Sequence, residues 1–147
     1  MVHILAPKPA ESSLPIFYNI DVAVGRGAPN SSHSDILLVQ YFLSLIGKNV
    51  APNSKLSSLA KVPVTGSINS ETISAIEVLQ VADGAAPDGH VSVASGYRFG
   101  GSYYTIMIMN FNIKSKFFKQ WPNIEELPEC PGLLNMACRR ALVGDRP

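Results

Sequence analysis

Val64-Thr65-Gly66-Ser67-Ile68-Asn69-Ser70-Glu71-Thr72-Ile73-Ser74-Ala75-Ile76-Glu77-Val78-Leu79-Gln80 reads as a glycine turn feeding a capped helix. Gly66 permits the turn, Asn69 to Thr72 offer the cap, and Ile73, Ile76, Leu79 and Gln80 recur at helical spacing. An earlier stretch, Ile36-x-x-Val39-Gln40-x-x-Leu43, carries the same apolar-Gln pattern 40 positions upstream (76 − 36 and 80 − 40). Each copy is followed by its own glycine turn, Thr65-Gly66 after the first and Pro87-Asp88-Gly89 after the second. A repeated unit that cannot bury its own apolar face packs against its copy, so the pattern predicts one helical core.

The 147 residues are enough for one domain with a real core and too few for two comfortable ones. Apolar residues make up 46% and charged residues 16%, a balance that excludes disorder and leaves a surface of Ser, Asn, Thr, Gly and Pro. A formal net charge of +1, with no basic run beyond Arg139-Arg140, gives no field to attract nucleic acid or anionic lipid. The apolar windows 36–46 and 103–113 are about half of the roughly 20 residues a membrane span needs. Val2 to Ala6 is too short for the core of a secretory signal. The expectation is a soluble chain made in the cytoplasm, reaching the cell envelope only by a route that needs no cleaved signal.

Residues 1–24, with Pro7, Pro9 and Pro15, read as an arm draped over the domain with one short strand at most. Gly25 to Asn30 is a turn region, and Ser32 or Ser34 can cap a first helix over about 34–46, with Asp35 completing a weak capping box and Gly47 ending the helix. Its apolar residues cover nearly the whole circumference, which predicts central burial. A polar loop over 48–61 has room for a turn at Leu56 to Leu59. The second helix runs from its cap at Asn69 to Val81 or Ala82, stopped by Asp83-Gly84. A short pairing between 62–64 and 91–93 would close the two glycine turns together.

From Ser102, helical spacing through Ile106, Ile113 and Phe117 favours a helix, although Ile106-Met107-Ile108-Met109 can alternate as a strand. Trp121-Pro122 closes that segment, and a last helix over 131–143 would turn Leu133, Leu134, Ala137 and Ala141 inward. Cys130 and Cys138 would stand roughly 10 Å or more apart at about 1.5 Å per residue, beyond disulfide reach, and read as reduced, mostly buried thiols.

The stretch 64–80 resembles, without a gap, the signature of the peptidoglycan-binding-like three-helix domain, V-D-G-x-F-G-P-x-T-x-x-A-V-x-x-F-Q. Val64, Gly66, Thr72, Ala75 and Gln80 match it outright; Ile68, Ile76 and Leu79 match in character. Val39-Gln40, Leu43 and Gly47 fit the family's first helix, and Pro87-Asp88-Gly89-x-Val91 fits its second D-G turn. Thr65 replaces the family's Asp, and Asn69-Ser70 its Gly-Pro; both still suit a turn into a cap. The resemblance implies a mostly α fold: a small three-helix bundle with short β-turn elements over 25–96, possibly completed by 102–119 as a displaced third helix. The arm 1–24 and a C-terminal helical extension, 97–147, would pack on it.

Members of that family usually hold a cell-wall hydrolase on its polymer, so the resemblance implies non-catalytic binding to peptidoglycan, with no cofactor and no metal. The alternative is a protein-interaction adaptor or accessory protein of a bacterial secretion or phage-type apparatus that keeps the fold without the sugar; an immunity-type inhibitor is a third reading. Gln40 and Gln80 are expected to cap nearby loop backbone or, alternatively, to touch ligand. Gly66, Asp88 and Gly89 are expected as turn formers. Thr65, Asn69, Thr72 and His90, on the loops at the helix ends, are the ligand candidates, and Tyr97, Tyr103 and Tyr104 can stack on sugar rings or belong to the core. His3, His33 and His90 share no metal-ligand spacing, and no serine or cysteine sits in a nucleophile context, so an enzyme is not expected.

Overall fold

The computed structural model describes residues 1–144; the last three residues of the expected extension lie outside the described residues. It is mostly helical, with a few short antiparallel strand pairs. In chain order come β1 (His3–Leu5), β2 (Phe17–Asn19), β3 (Val24–Gly25), α1 (His33–Lys48), a 3₁₀ helix (Lys55–Lys61), α2 (Ser70–Ala82) and β4 (His90–Val91). There follow β5 (Arg98–Phe99), β6 (Ser102–Tyr103), α3 (Thr105–Lys116), a 3₁₀ turn (Ile124–Glu126) and α4 (Gly132–Leu142). No helix among the described residues is long and apolar enough to cross a membrane.

The first helix is central, as its all-round apolar character requires: every residue from Asp35 to Gly47 is buried. Ser32 caps it, its hydroxyl accepting the Asp35 N–H. Asp35 does not close a capping box. Its carboxylate, with no exposure, turns instead to the N-terminal segment, where Oδ2 accepts the Asp21 and Val22 N–H groups at 3.0 Å each and meets the Met1 ammonium at 3.1 Å.

Gly47 does not terminate α1, which runs on through Lys48 with Asn49 as its C-cap. A Cβ at Gly47 would lie 2.0 Å from the Ala60 nitrogen, so glycine is required for the 3₁₀ helix to close onto α1. That contact joins segments thirteen residues apart, which local helix-ending rules do not address.

The segment before Gly25 is not an outer drape. Strand β1 pairs antiparallel with β2, and Val2, Leu14, Phe17, Tyr18 and Ile20 join the same core cluster as α1 and α2. Strand β4 pairs with β3, Val24 opposite Val91 and Gly25 opposite His90, and not with residues 62–64. The reason is a close backbone approach: Gly25, at φ +113, admits the Gly89 carbonyl to a place where a Cβ would stand 2.1 Å away.

Residues 106–109 are helical, the favoured reading of that run. The helix starts at Thr105 because Ser102–Tyr103 is committed to a hairpin with Arg98–Phe99 across Gly100-Gly101, and it ends at Lys116, before Trp121-Pro122. On α4 the buried face is Leu134, Ala137, Cys138 and Ala141; Leu133, one residue off that face, is 61% exposed. Cys130 and Cys138 are free thiols.

Side-chain amides do much of the joining that longer strands would do. Asn110 on α3 accepts the Tyr18 N–H at 2.7 Å and donates to the Tyr18 carbonyl at 2.8 Å, pairing with β2 as a strand residue would. Asn19 does the same to Ala94, accepting at 3.1 Å and donating at 2.7 Å.

Candidate functional site

Gln40 and Gln80 each hold a glycine turn from inside. Gln40 Oε1 accepts the Thr65 and Gly66 N–H groups at 2.8 Å each, while Nε2 donates to the Ser67 carbonyl at 2.8 Å and to Thr72 Oγ1 at 3.0 Å. Gln80 Oε1 accepts the Gly89 N–H at 3.0 Å; its Nε2 donates to Asp88 Oδ1 at 2.9 Å and lies 3.2 Å from both the His90 carbonyl and Thr105 Oγ1. Both glycines take the left-handed region, Gly66 at φ +79 and Gly89 at φ +69. Asp88 Oδ1 also accepts the His90 N–H at 3.0 Å, closing the turn on itself. The repeat in the sequence is therefore a pair of amide-held turns on one core.

The four ligand candidates separate onto these two turns. Thr72 has no exposure: its hydroxyl donates to Asn69 Oδ1 at 2.7 Å while receiving the Gln40 amide. Asn69 spends the same oxygen as the α2 cap, on the Thr72 N–H at 2.8 Å. Thr65 is exposed, yet its hydroxyl accepts the Ser67 N–H within its own turn. These three sit at the start of α2. His90 belongs to the second turn, beyond the end of α2, where the chain folds back so that Gly89 packs beside Ile73 and Glu77.

His90 lines a groove of about 450 Å³ that also takes in Asp88, Ser92, Phe99, Tyr103 and Tyr104. Its Nδ1 lies 2.9 Å from the Arg26 carbonyl, an acceptor only, which places the proton on Nδ1 and leaves Nε2 to accept in the neutral ring. Phe99, at the tip of the β5–β6 hairpin, is 77% exposed and stands 6.2 Å from the half-buried Tyr104 ring. Tyr104 hydroxyl meets Ser95 Oγ at 3.1 Å. The Arg98 guanidinium covers the Tyr103 ring at 4.3 Å, a cation–π contact that stiffens the hairpin. The result is a polar floor beside one exposed ring, Phe99, and one half-buried ring, Tyr104.

Tyr97 does not reach this groove. It is buried, packs on Phe17 at 5.8 Å and ties the Leu14 carbonyl at 2.7 Å, so it is a core residue. Phe99 escaped the sequence reading, although Gly100-Gly101 between two short polar-aromatic pairs is a hairpin signal. No protein-family model, curated protein or solved structure matches the chain.

Proposed function

We propose that the protein is a non-catalytic cell-wall binding module of the peptidoglycan-binding-like type, with α1, α2 and the displaced α3 as its three-helix bundle. The observation that carries this reading is the open groove in which Phe99 and Tyr104 present ring faces beside Asp88, His90, Ser92 and Ser102. A saccharide needs that combination: flat apolar faces for its C–H surfaces and short polar side chains for its hydroxyls. The matched signature supports the fold behind it, since each invariant-type glutamine and glycine has a structural task in the amide-held turns.

Purified sacculi should retain the protein. Phe99→Ala should lower retention roughly tenfold, with folding unchanged because Phe99 stands in solvent. Undiminished retention would remove the groove as the site. Asn69 and Thr72 are poor probes of binding, because changing them opens the first turn.

A second reading, the adaptor, has its own observation. On α4, Leu133 and Met136 are 61% and 52% exposed and share one helix face, and the C-cap Val143 beyond them is 79% exposed. It predicts no sacculus retention and a complex purified from the native host that Leu133→Asp with Met136→Asp abolishes.

A further inference from the structure

Tyr103 is shared by two grooves. Beyond the aromatic one lies a smaller groove of about 260 Å³, walled by Leu14, Met107, Ile108 and Phe111, with Asp83 and Glu11 at its rim. Phe111 is 44% exposed there although α3 otherwise buries its apolar residues at 106–109 and 113. The volume lies below the about 300–1,000 Å³ of whole small-molecule sites and suits one side chain.

One of the two carboxylates at this groove, Asp83, lacks a cation. Asp83 is the C-cap of α2, where the helix macrodipole is negative, and the last turn of α2 contains no basic residue. Among the described residues its carboxylate has no hydrogen bond or ion pair. Asp83 is an exposed residue, and the desolvation that its neighbours do impose raises its pKa. Glu11 is only loosely engaged, 3.4 Å from the Tyr103 hydroxyl and 4.0 Å from Arg98. Lys114 is committed to the Ser13 carbonyl. An aliphatic wall ending in a lone carboxylate is complementary to a primary amine on an aliphatic stem.

We propose that this groove takes the free amine and aliphatic stem of a cell-wall stem peptide, while the sugar bearing that peptide lies across Tyr103 against Phe99 and Tyr104. The inference rests on the cell-wall reading above and adds its specificity: uncross-linked stems, whose amine is free, are preferred. Cross-linking turns the amine into an amide and removes the charge that Asp83 meets.

The test uses the full chain and two preparations of the same sacculi, native and amine-acetylated. Acetylation should lower retention roughly two- to fivefold, the range for one partly exposed ion pair. Asp83→Asn should lower retention on native sacculi by a similar factor and erase the difference between preparations; Phe111→Ala should also weaken it. Equal retention of both preparations by the unchanged protein overturns the amine site while leaving wall binding intact. A difference that survives in Asp83→Asn also overturns it, because a general charge effect would behave so. Failure to retain native sacculi overturns wall binding, and this inference with it.

Discussion

Gln40 has an amide that uses every hydrogen-bonding position it owns, two donated and two accepted, at a site with no exposure. Removing it strands the Thr65 and Gly66 N–H groups and takes one donor each from the Ser67 carbonyl and the Thr72 hydroxyl, which costs more than one average hydrogen bond. Gln40→Ala should therefore lose about 2–4 kcal/mol, read as a lower urea midpoint with an unchanged slope. Gln40→Glu should lose as much or more, because a carboxylate would face the Ser67 carbonyl. Asp35→Ala should cost about 2–3 kcal/mol, since it leaves the Asp21 and Val22 N–H groups without their shared acceptor while the Met1 ammonium keeps Asp21. The two residues differ in how legible they were. The glutamine announced itself by recurring before a glycine turn, whereas Asp35 offered only its place beside Ser32, and its true partners at positions 1, 21 and 22 lie outside any local pattern.

Helix α1 shows what local rules can and cannot see. Its cap, its extent to within two residues and its central burial follow from Ser32 and from apolar residues on all faces. Gly47 looked like a helix end and is a contact. The two roles make opposite demands. A terminator at positive φ would be strained by any side chain, whereas Gly47 is helical and alanine there gains about 1 kcal/mol in helix propensity. The 2.0 Å approach to the Ala60 nitrogen overrules that gain, because the obstacle is backbone. Gly47→Ala should be destabilising by about 1–3 kcal/mol net, with hydrogen exchange accelerating first in residues 55–61. A neutral or stabilising result would show that the 3₁₀ helix yields easily. The β3–β4 pairing was hidden for the same reason: it depends on Gly25 meeting Gly89 across more than sixty residues, and the two-residue strands carry no periodicity of their own. In the groove, His90, Tyr103 and Tyr104 were legible from residue type and loop position, while Phe99 depended on recognising its hairpin.

At the scale of the molecule, the N-terminal segment and α4 both pack on the core around α1. Phe17, Tyr18 and Ile20 have no exposure, so a chain beginning at Gly25 should lose cooperative unfolding and bind hydrophobic dye, however complete the 25–96 signature looks. The C-terminal segment is held differently, through tyrosine hydroxyls. Tyr18 donates to the Pro122 carbonyl at 2.5 Å and Tyr41 to the Pro128 carbonyl at 2.6 Å, with Cys130 and Cys138 beside them. Burial raises the pKa of all four, and neighbouring Glu125 adds to the rise for Tyr18 and both thiols. Cys130 is pushed from 9.0 to about 11. Each group is an acid whose folded form keeps its proton longer than the unfolded form does. Above the unfolded values, 9.0 for cysteine and 10.0 for tyrosine, the native state binds more protons, so stability falls as pH rises. Below pH 9 their contribution is fully present. The midpoint of chemical denaturation should thus stay level with respect to these groups from neutral pH to about pH 8.5 and drop steeply beyond pH 9. Tyr41→Phe supplies the internal control: it should cost about 1 kcal/mol at pH 7, through the lost bond to Pro128, and should flatten the alkaline decline. An equally steep decline in that variant would mean that Tyr41 does not guard the seam between the C-terminal segment and α1.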